Sequence, residues 1–320
     1  MNVKIPELLA PAASPEGVRA AVQSGAGAVY MGFGTFNARR NAQGFSHEEM
    51  ADAIAYCRAR NVKSNITLNI LVGDRELDDA LEDAKFLYEA GADALIVQDL
   101  GLARLIHAHA PDFALHASTQ MTIHTLDAAK QARDIGFSRV VLSRECSREE
   151  IKLITEQAGV ETEVFVHGAL CMCYSGQCYL SAVIGQRSGN RGLCAQPCRL
   201  PYSGGYPLSL KDLMLAGHVA ELSDWGVSSL KIEGRMKRPE YVAAAVSSIR
   251  TACEGRPVDF ETLRSVFSRS GFTKGYFDGR IDREMFGYRQ KEDVTSAAGV
   301  LGELARLYDR ENPLVPVSMQ

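Results

Sequence analysis

Short β-type runs alternate along the chain with longer segments whose apolar positions recur at three- and four-residue spacing. The first pattern predicts strands and the second amphipathic helices. Strands are expected at Pro6–Ala12, Ala28–Phe33, Val62–Ile70, Ala94–Gln98, Ala114–Ala117, Arg139–Leu142, Glu163–Val166 and Ser229–Ile232. Helix starts are written in their caps. Ser14-Pro15-Glu16 places a capping serine before a proline and an acid, opening a helix to Ser24. Ser46-His-Glu-Glu49 and Ser147-Arg-Glu-Glu150 read as capping boxes for helices to Asn61 and Ala158. Glu76–Ala90 aligns Leu77, Leu81, Ala84 and Leu87 on one face, with acids opposite. Further helices are expected at Leu102–Ala110, Thr125–Ile135, Lys211–Trp225 and Pro239–Cys253.

Eight strand–helix units within roughly 250 residues match the count and size of a (β/α)8, TIM-like barrel. An open doubly wound sheet is the alternative. The barrel is preferred because the repeats are short and even and no composition break divides residues 1–255. Residues 256–320 differ: aromatic residues sit among glycines and charges, with one helix expected near Ala297–Tyr308. The strand-like run Leu314–Met319 has no successor, so this C-terminal appendage either closes a small sheet or belongs to a longer protein.

Charge and cysteine content narrow the chemistry. The formal net charge of −4 gives no general attraction to nucleic acid, so any RNA contact must come from a local basic patch. No charged-then-apolar leader follows Met1 and no apolar run is long enough to span a bilayer, so a cytoplasmic protein without a membrane partner is expected. Five of the eight cysteines fall between Glu161 and Tyr202, just after the seventh strand: Cys171, Cys173, Cys178, Cys194 and Cys198. Reduced thiols that converge in one loop favour a metal or cluster. Zinc needs four tetrahedral ligands, usually paired at close spacing. Cys194 and Cys198 suit one half, but Cys171 and Cys178 are widely spaced unless Cys173 intervenes. An iron–sulfur cluster tolerates irregular spacing and is favoured over zinc, and zinc over no metal.

In a barrel the chemistry lies at the carboxyl ends of the strands. There the sequence places Arg39 after strand two, His116 and Gln120 around the end of strand five, and Arg144 and Glu145 after strand six. His167 follows strand seven; Lys231, Glu233, Arg235 and Lys237 surround the end of strand eight. Glu145 and Glu233 are acid–base candidates by position. His167 is a proton donor, a ligand or a structural hydrogen-bonder, the last being the default for a single histidine. Arg187, Arg191, Arg199, Lys231, Arg235 and Lys237 either form an anion pocket or pair with acids such as Glu233.

Glu163-Val-Phe-Val-His-Gly-Ala-Leu-Cys171, Gly176, Cys178 and Ser181 are followed by Arg187-Ser-Gly-Asn-Arg-Gly192, Cys194-Ala-Gln-Pro-Cys198-Arg199 and Lys231-Ile-Glu-Gly-Arg-Met-Lys237. This combination resembles the U32 peptidase family, also called collagenase-like proteases. The resemblance implies a [4Fe-4S] cluster on four cysteines, assigned here to Cys171, Cys178, Cys194 and Cys198. It further implies oxygen-independent hydroxylation of RNA (tRNA uridine) or of a quinone ring. In the tRNA branch it implies prephenate as the oxygen source, a small carboxylate co-substrate, and a homologous partner subunit is a further expectation. The family pattern usually has an asparagine where Gly44 stands, before Phe45.

Two other readings compete. A collagenase-like peptidase would need a nucleophile and base within hydrogen-bond reach. A non-catalytic iron–sulfur protein would need an apolar docking patch for its partner enzyme. Familiar motifs are missing: Gly32-Phe-Gly34 lacks a third glycine, His47-Glu-Glu-Met-Ala lacks a second histidine, and no Gly-x-Ser-x-Gly occurs.

Overall fold

The structure, a computed structural model, describes residues 5–39, 44–266, 268–288 and 300–309. Its strands are β1 (Glu7–Ala12), β2 (Ala28–Gly32), β3 (Lys63–Leu68), β4 (Ala94–Val97), β5 (Ala114–Ala117), β6 (Arg139–Val141), β7 (Glu161–Ala169), β8 (Asp212–Met214), β9 (Ser229–Ile232) and β10 (Phe272–Thr273). β1 to β7 pair in parallel with their neighbours, and β9 closes the ring between β7 and β1. Leu230 is the pivot of closure, in register with Leu8 on one side and Val164 on the other. The result is the expected closed eight-stranded parallel barrel, not an open sheet.

The helices are α1 (Pro15–Gln23), α2 (His47–Arg58), α3 (Leu77–Ala90), α4 (Leu100–His109), α5 (Leu126–Ile135), α6 (Arg148–Gln157), α7 (Leu180–Gly185), α8 (Val219–Asp224), α9 (Pro239–Cys253) and α10 (Phe260–Val266). Their caps act as the sequence indicates. Ser14 accepts from the Gly17 N–H at 3.1 Å, and both capping boxes, Ser46–Glu49 and Ser147–Glu150, are complete. Gly91 and Gly136 end α3 and α5 at φ +80° and +115°, the left-handed geometry that favours glycine.

One expected element is wrong. Lys211–Trp225 is not a helix: it begins as β8, turns through a 3-10 segment at Ala216–His218, and only then forms α8. β8 lies antiparallel on the upper end of β7, with His167 opposite Met214 and Ala169 opposite Asp212. The run Leu213-Met214-Leu215 is apolar at consecutive positions, so its own periodicity does not choose between helix and strand. The free edge of β7 chooses, and it also extends β7 beyond the expected Glu163–Val166.

β10 pairs with β8, α10 packs on α9, and Phe277, Met285, Leu304 and Tyr308 join the same apolar core as the barrel helices. Residues 300–305 are helical; the rest of the expected Ala297–Tyr308 helix that precedes them, and the Leu314–Met319 strand, lie outside the described residues.

The main core fills the space between sheet and helices. Inside the barrel the filling is different. A small apolar cluster of Leu9, Ala28, Tyr30 and Ile96 sits beside buried Asn65, Thr67, His116, Arg139, Glu163 and Lys231. Arg139 joins Glu7 at 2.6 Å, Glu161 at 2.7 Å and Glu163 at 3.4 Å, and Lys231 reaches Glu163 at 2.7 Å. These pairs satisfy charges that would be prohibitively costly alone. No helix among the described residues is long and apolar enough to cross a membrane.

A cationic cavity under the cysteine loop

A cavity of about 90 Å³ opens at the carboxyl ends of the barrel strands. Its wall takes Tyr30 from β2, Arg39 from the following loop, Thr67 from β3, Gln120 after β5, Arg144 after β6 and Phe165 from β7. Lys231, Glu233 and Arg235 enter from β9, and Cys171 and Ser175 close the roof. Strand parity explains the β9 contribution: Lys231 points inward, and residues 233 and 235 continue on that side beyond the strand end.

Glu233 is the hub. Its carboxylate takes Arg144 Nη2 at 2.5 Å and Arg39 Nη2 at 3.5 Å. Burial alone would raise its pKa, but Arg144, Arg39 and Arg235 together outweigh that and hold it at about 2. Arg144 also lies flat over Phe165, its guanidinium carbon 3.8 Å from the ring centroid. Arg235 is only 7% exposed and donates to Thr67 Oγ1 at 2.5 Å, but no acid pairs with it among the described residues. Burial, and then the neighbouring Arg39 charge, lower its pKa to about 10. Arg39 and Arg144 thus share the carboxylate of Glu233, and Arg235 stands beside them without an acid of its own among the described residues, since Lys231 is already matched by Glu163. Such a surplus of buried positive charge suits an anionic ligand.

The expected site residues separate into groups. Arg39, Gln120, Lys231, Glu233 and Arg235 meet on the cavity wall with Cys171. Glu145 stands behind it. One of its oxygens accepts from both the backbone N–H of Ser175 at 3.0 Å and its hydroxyl at 3.1 Å, so it anchors the cysteine loop. His116 lies deeper in the barrel, away from the cavity wall. Burial, and then Arg139, lower its pKa to about 3, which keeps it neutral. His167 faces the other way, its ring 5.7 Å from those of Tyr241 and Phe272. Simple alternation from Glu163 and Phe165 would send it inward, but the β7–β9 register shifts between Phe165 and His167. Burial lowers its pKa to about 4. Lys237 lies on that outer side too, 5.9 Å from the Tyr241 ring centroid. Arg187 donates to the Leu193 carbonyl at 3.1 Å, and Arg191 is held by the Leu71 carbonyl and by Glu76 at 2.5 Å. Both brace loops rather than line the cavity.

Sequence reasoning passed over Arg144 as a binding residue, although it read the position as a strand end. Tyr30 carries no signal in the sequence beyond its place in a strand; its hydroxyl donates to the Ile232 carbonyl at 2.9 Å and its ring supports Lys231 Nζ at 4.4 Å.

The cysteines share one neighbourhood. Burial raises the Cys198 pKa most, and Cys171, Cys194 and Cys178 add to the rise, so all three lie within electrostatic reach. Burial raises the Cys173 pKa most and Cys178 adds to the rise, so these two thiols are neighbours as well. Gln196 N donates to Cys194 Sγ at 3.4 Å, an N–H···S contact of the kind that stabilises a thiolate. Arg199, beside Cys198, is tied to the Leu170 carbonyl, to Ser209 Oγ at 3.1 Å and to the Leu210 carbonyl at 2.7 Å. Among the described residues no three Cys, His, Asp or Glu side chains form a ready-made metal site. The donor set nevertheless fits a cluster: four soft ligands, an N–H···S donor, and guanidiniums to offset thiolate charge.

The loop is pressed tightly against the barrel. Gly176 has φ +80°, and a Cβ there would strike the Gln120 carbonyl oxygen, which is backbone and cannot swing aside. Gly176→Ala is expected to cost about 1–3 kcal/mol, seen as a lower melting temperature. The loop thiols should also react faster with a thiol reagent, whereas buried Cys57 and Cys146 should not.

The sequence matches the family described as Peptidase family U32 over residues 13–286. It is 42% identical to the 23S rRNA 5-hydroxycytidine C2501 synthase of Escherichia coli K12, over 74% of this chain and 37% of that protein. The chain therefore spans little more than a third of that relative. It is 32% identical to tRNA hydroxylation protein P1 of Bacillus subtilis 168, over 99% of this chain and 81% of that protein. A Collagenase of Porphyromonas gingivalis W83 is 33% identical over 88% of this chain and 75% of that protein. A solved U32 peptidase superposes with a TM-score of 0.50 at 15% identity, covering 72% of this chain and 93% of that one, a likeness of fold alone.

Proposed function

The chain belongs to peptidase family U32, and from that premise we propose that it hydroxylates RNA without molecular oxygen, with tRNA uridine as the first substrate to test. The tRNA reading rests on coverage, since nearly the whole chain aligns with most of a tRNA hydroxylation protein and with little over a third of the rRNA synthase. Cys171, Cys178, Cys194 and Cys198 would hold a [4Fe-4S] cluster, which when bound supplies electron transfer or a Lewis-acidic iron. Arg235, with Arg39 and Arg144, would bind a small carboxylate co-substrate of the prephenate kind.

The observation that carries this reading is the buried Arg235 without an acid partner, on the wall that Cys171 also lines. A carboxylate entering there completes the charge balance that Glu233 leaves unfinished. Arg235 then orients the ligand, while Glu233 keeps Arg39 and Arg144 in place beforehand, so little reorganisation is needed on binding.

The peptidase reading needs a nucleophile and base. Ser175, on this wall, and Glu145, behind it, are within reach at 3.1 Å, but the same carboxylate oxygen also takes the Ser175 backbone N–H. That is the geometry of a loop anchor, and a lone carboxylate is a weak base for a serine hydroxyl.

The test is mass spectrometry of RNA nucleosides from cells lacking the native protein and complemented with this chain. Hydroxylated uridine in tRNA should appear with the wild type. Arg235→Ala should lose roughly 1.5–3 kcal/mol of carboxylate binding, about ten- to a hundredfold in KM, and excess co-substrate should partly restore product. Unchanged nucleosides, together with gelatin cleavage by metal-free protein, would overturn the hydroxylase reading.

A further inference from the structure

The stretch between Glu163 and Asp212 contains no acidic residue, although the whole chain carries net charge −4. It does contain Arg187, Arg191, Arg199 and Lys211, and the tyrosines Tyr174, Tyr179, Tyr202 and Tyr206. This acid-free lobe is the cysteine loop that roofs the cavity. Its two most exposed tyrosines are Tyr174, at 57%, and Tyr179, at 61%; Tyr206 is exposed as well but stacks on Tyr288. A monomer has little reason to leave such rings wet beside a functional cavity.

Tyr174 is held in place. It lies between the cavity-lining residues Cys171 and Ser175, and its ring rests against His124 at 5.8 Å with a 37° tilt. The backbone after it is fixed by Thr122, whose hydroxyl donates to the Ser175 carbonyl at 2.7 Å and accepts from Gln177 Nε2 at 2.9 Å. Tyr179 immediately precedes α7, whose Val183 and Ile184 are also exposed. Exposed aromatic faces on a lobe whose own charged side chains are all basic, with Glu145 turned inward onto Ser175 and Glu76 taken up by Arg191, complement the bases and phosphates of a single strand.

We propose that Tyr174 and Tyr179 form a stacking platform that grips unpaired nucleotides of an RNA loop and presents one base to the cavity beneath. This deepens the RNA reading and rests on it. It commits to single-stranded RNA, because a duplex keeps its base faces stacked internally and offers these rings nothing to stack on.

The test is fluorescence anisotropy of the full chain with a labelled short oligouridylate and with a labelled RNA duplex of equal length, at low and moderate salt. The wild type should prefer the single strand. Tyr174→Ala and Tyr179→Ala should each weaken single-strand binding about tenfold, in line with the loss of one stacked base. Tyr174→Phe and Tyr174→Trp should retain it, and neither alanine variant should change the melting temperature or the bound iron. Equal binding of strand and duplex, untouched by either alanine change, would overturn the platform while RNA hydroxylation in cells could still stand. Hydroxylated nucleosides missing from wild-type-complemented cells would instead overturn the underlying RNA reading. Alanine variants that fail to bind a protein partner yet bind RNA normally would assign the patch to that partner and reject the platform.

Discussion

Glu233→Ala is expected to unfold or severely loosen the upper barrel, costing about 3–5 kcal/mol, the usual loss when one partner of a buried ion pair is removed. The change leaves Arg144 and Arg39 without their shared carboxylate, beside the nearby charge of Arg235. Glu233→Gln keeps the shape and some hydrogen bonding, so it isolates the charge and should cost less. The same carboxylate sets an acid limit. Its pKa is held at about 2 in the fold, against an ordinary 4.5, by the three arginines acting against burial. A depressed carboxyl contributes its stability fully above the unfolded value and loses it as pH falls through the folded one. About 3 kcal/mol should therefore drain away between about pH 4.5 and 2 in the wild type, and this component should be missing in Glu233→Gln. Denaturant melts of both proteins across that range measure it. Parallel curves for the two would mean that Glu233 is not the group the arginines hold.

Cys178→Ser or Cys194→Ser should remove most of the iron and inorganic sulfide from protein purified without oxygen, and with them RNA hydroxylation. One lost thiolate leaves a cluster iron open to water, and the remaining ligands hold it poorly. Wild-type protein should be brown. Cys173→Ser should stay brown, because Cys173 neighbours Cys178 but is assigned no ligand role. Full iron in Cys178→Ser with loss in Cys173→Ser would exchange those two residues in the ligand set. Stoichiometric zinc without sulfide would replace the cluster by a structural metal.

The barrel was legible because several of its helices announce their starts and most of its strands are brief. The capping boxes at Ser46 and Ser147 and the glycine stop at Gly136 are local signals, and local signals survive in sequence. β8 was not legible, since its identity comes from a partner edge far away in the chain. The cavity was half legible. Arg39, Lys231, Glu233 and Arg235 follow from strand ends. His167 does not, because a single register shift reverses its side, and nothing in Val-Phe-Val-His announces that shift. His116 follows the parity rule but at the wrong depth, since parity gives the side of a strand and not the height along the barrel axis.

The closure of the ring by β9 has a consequence for the order of events during synthesis. β7 and the entire cysteine loop precede β9 in the chain, and Lys231, the buried counter-charge of Glu163, arrives only with that last staple. A nascent chain that has reached the end of the loop therefore has a seam between β1 and β7, with Glu163 and Glu7 both near open water and sharing Arg139. Pairings this distant in sequence form late, after the local strand–helix units. The loop thiols are thus presented to the cell before the barrel beneath them is sealed, the interval in which the proposed cluster would be loaded. Slowing translation after β9 should change little, whereas a pause placed between the loop and Ser229 should raise the fraction of chains that mature with metal.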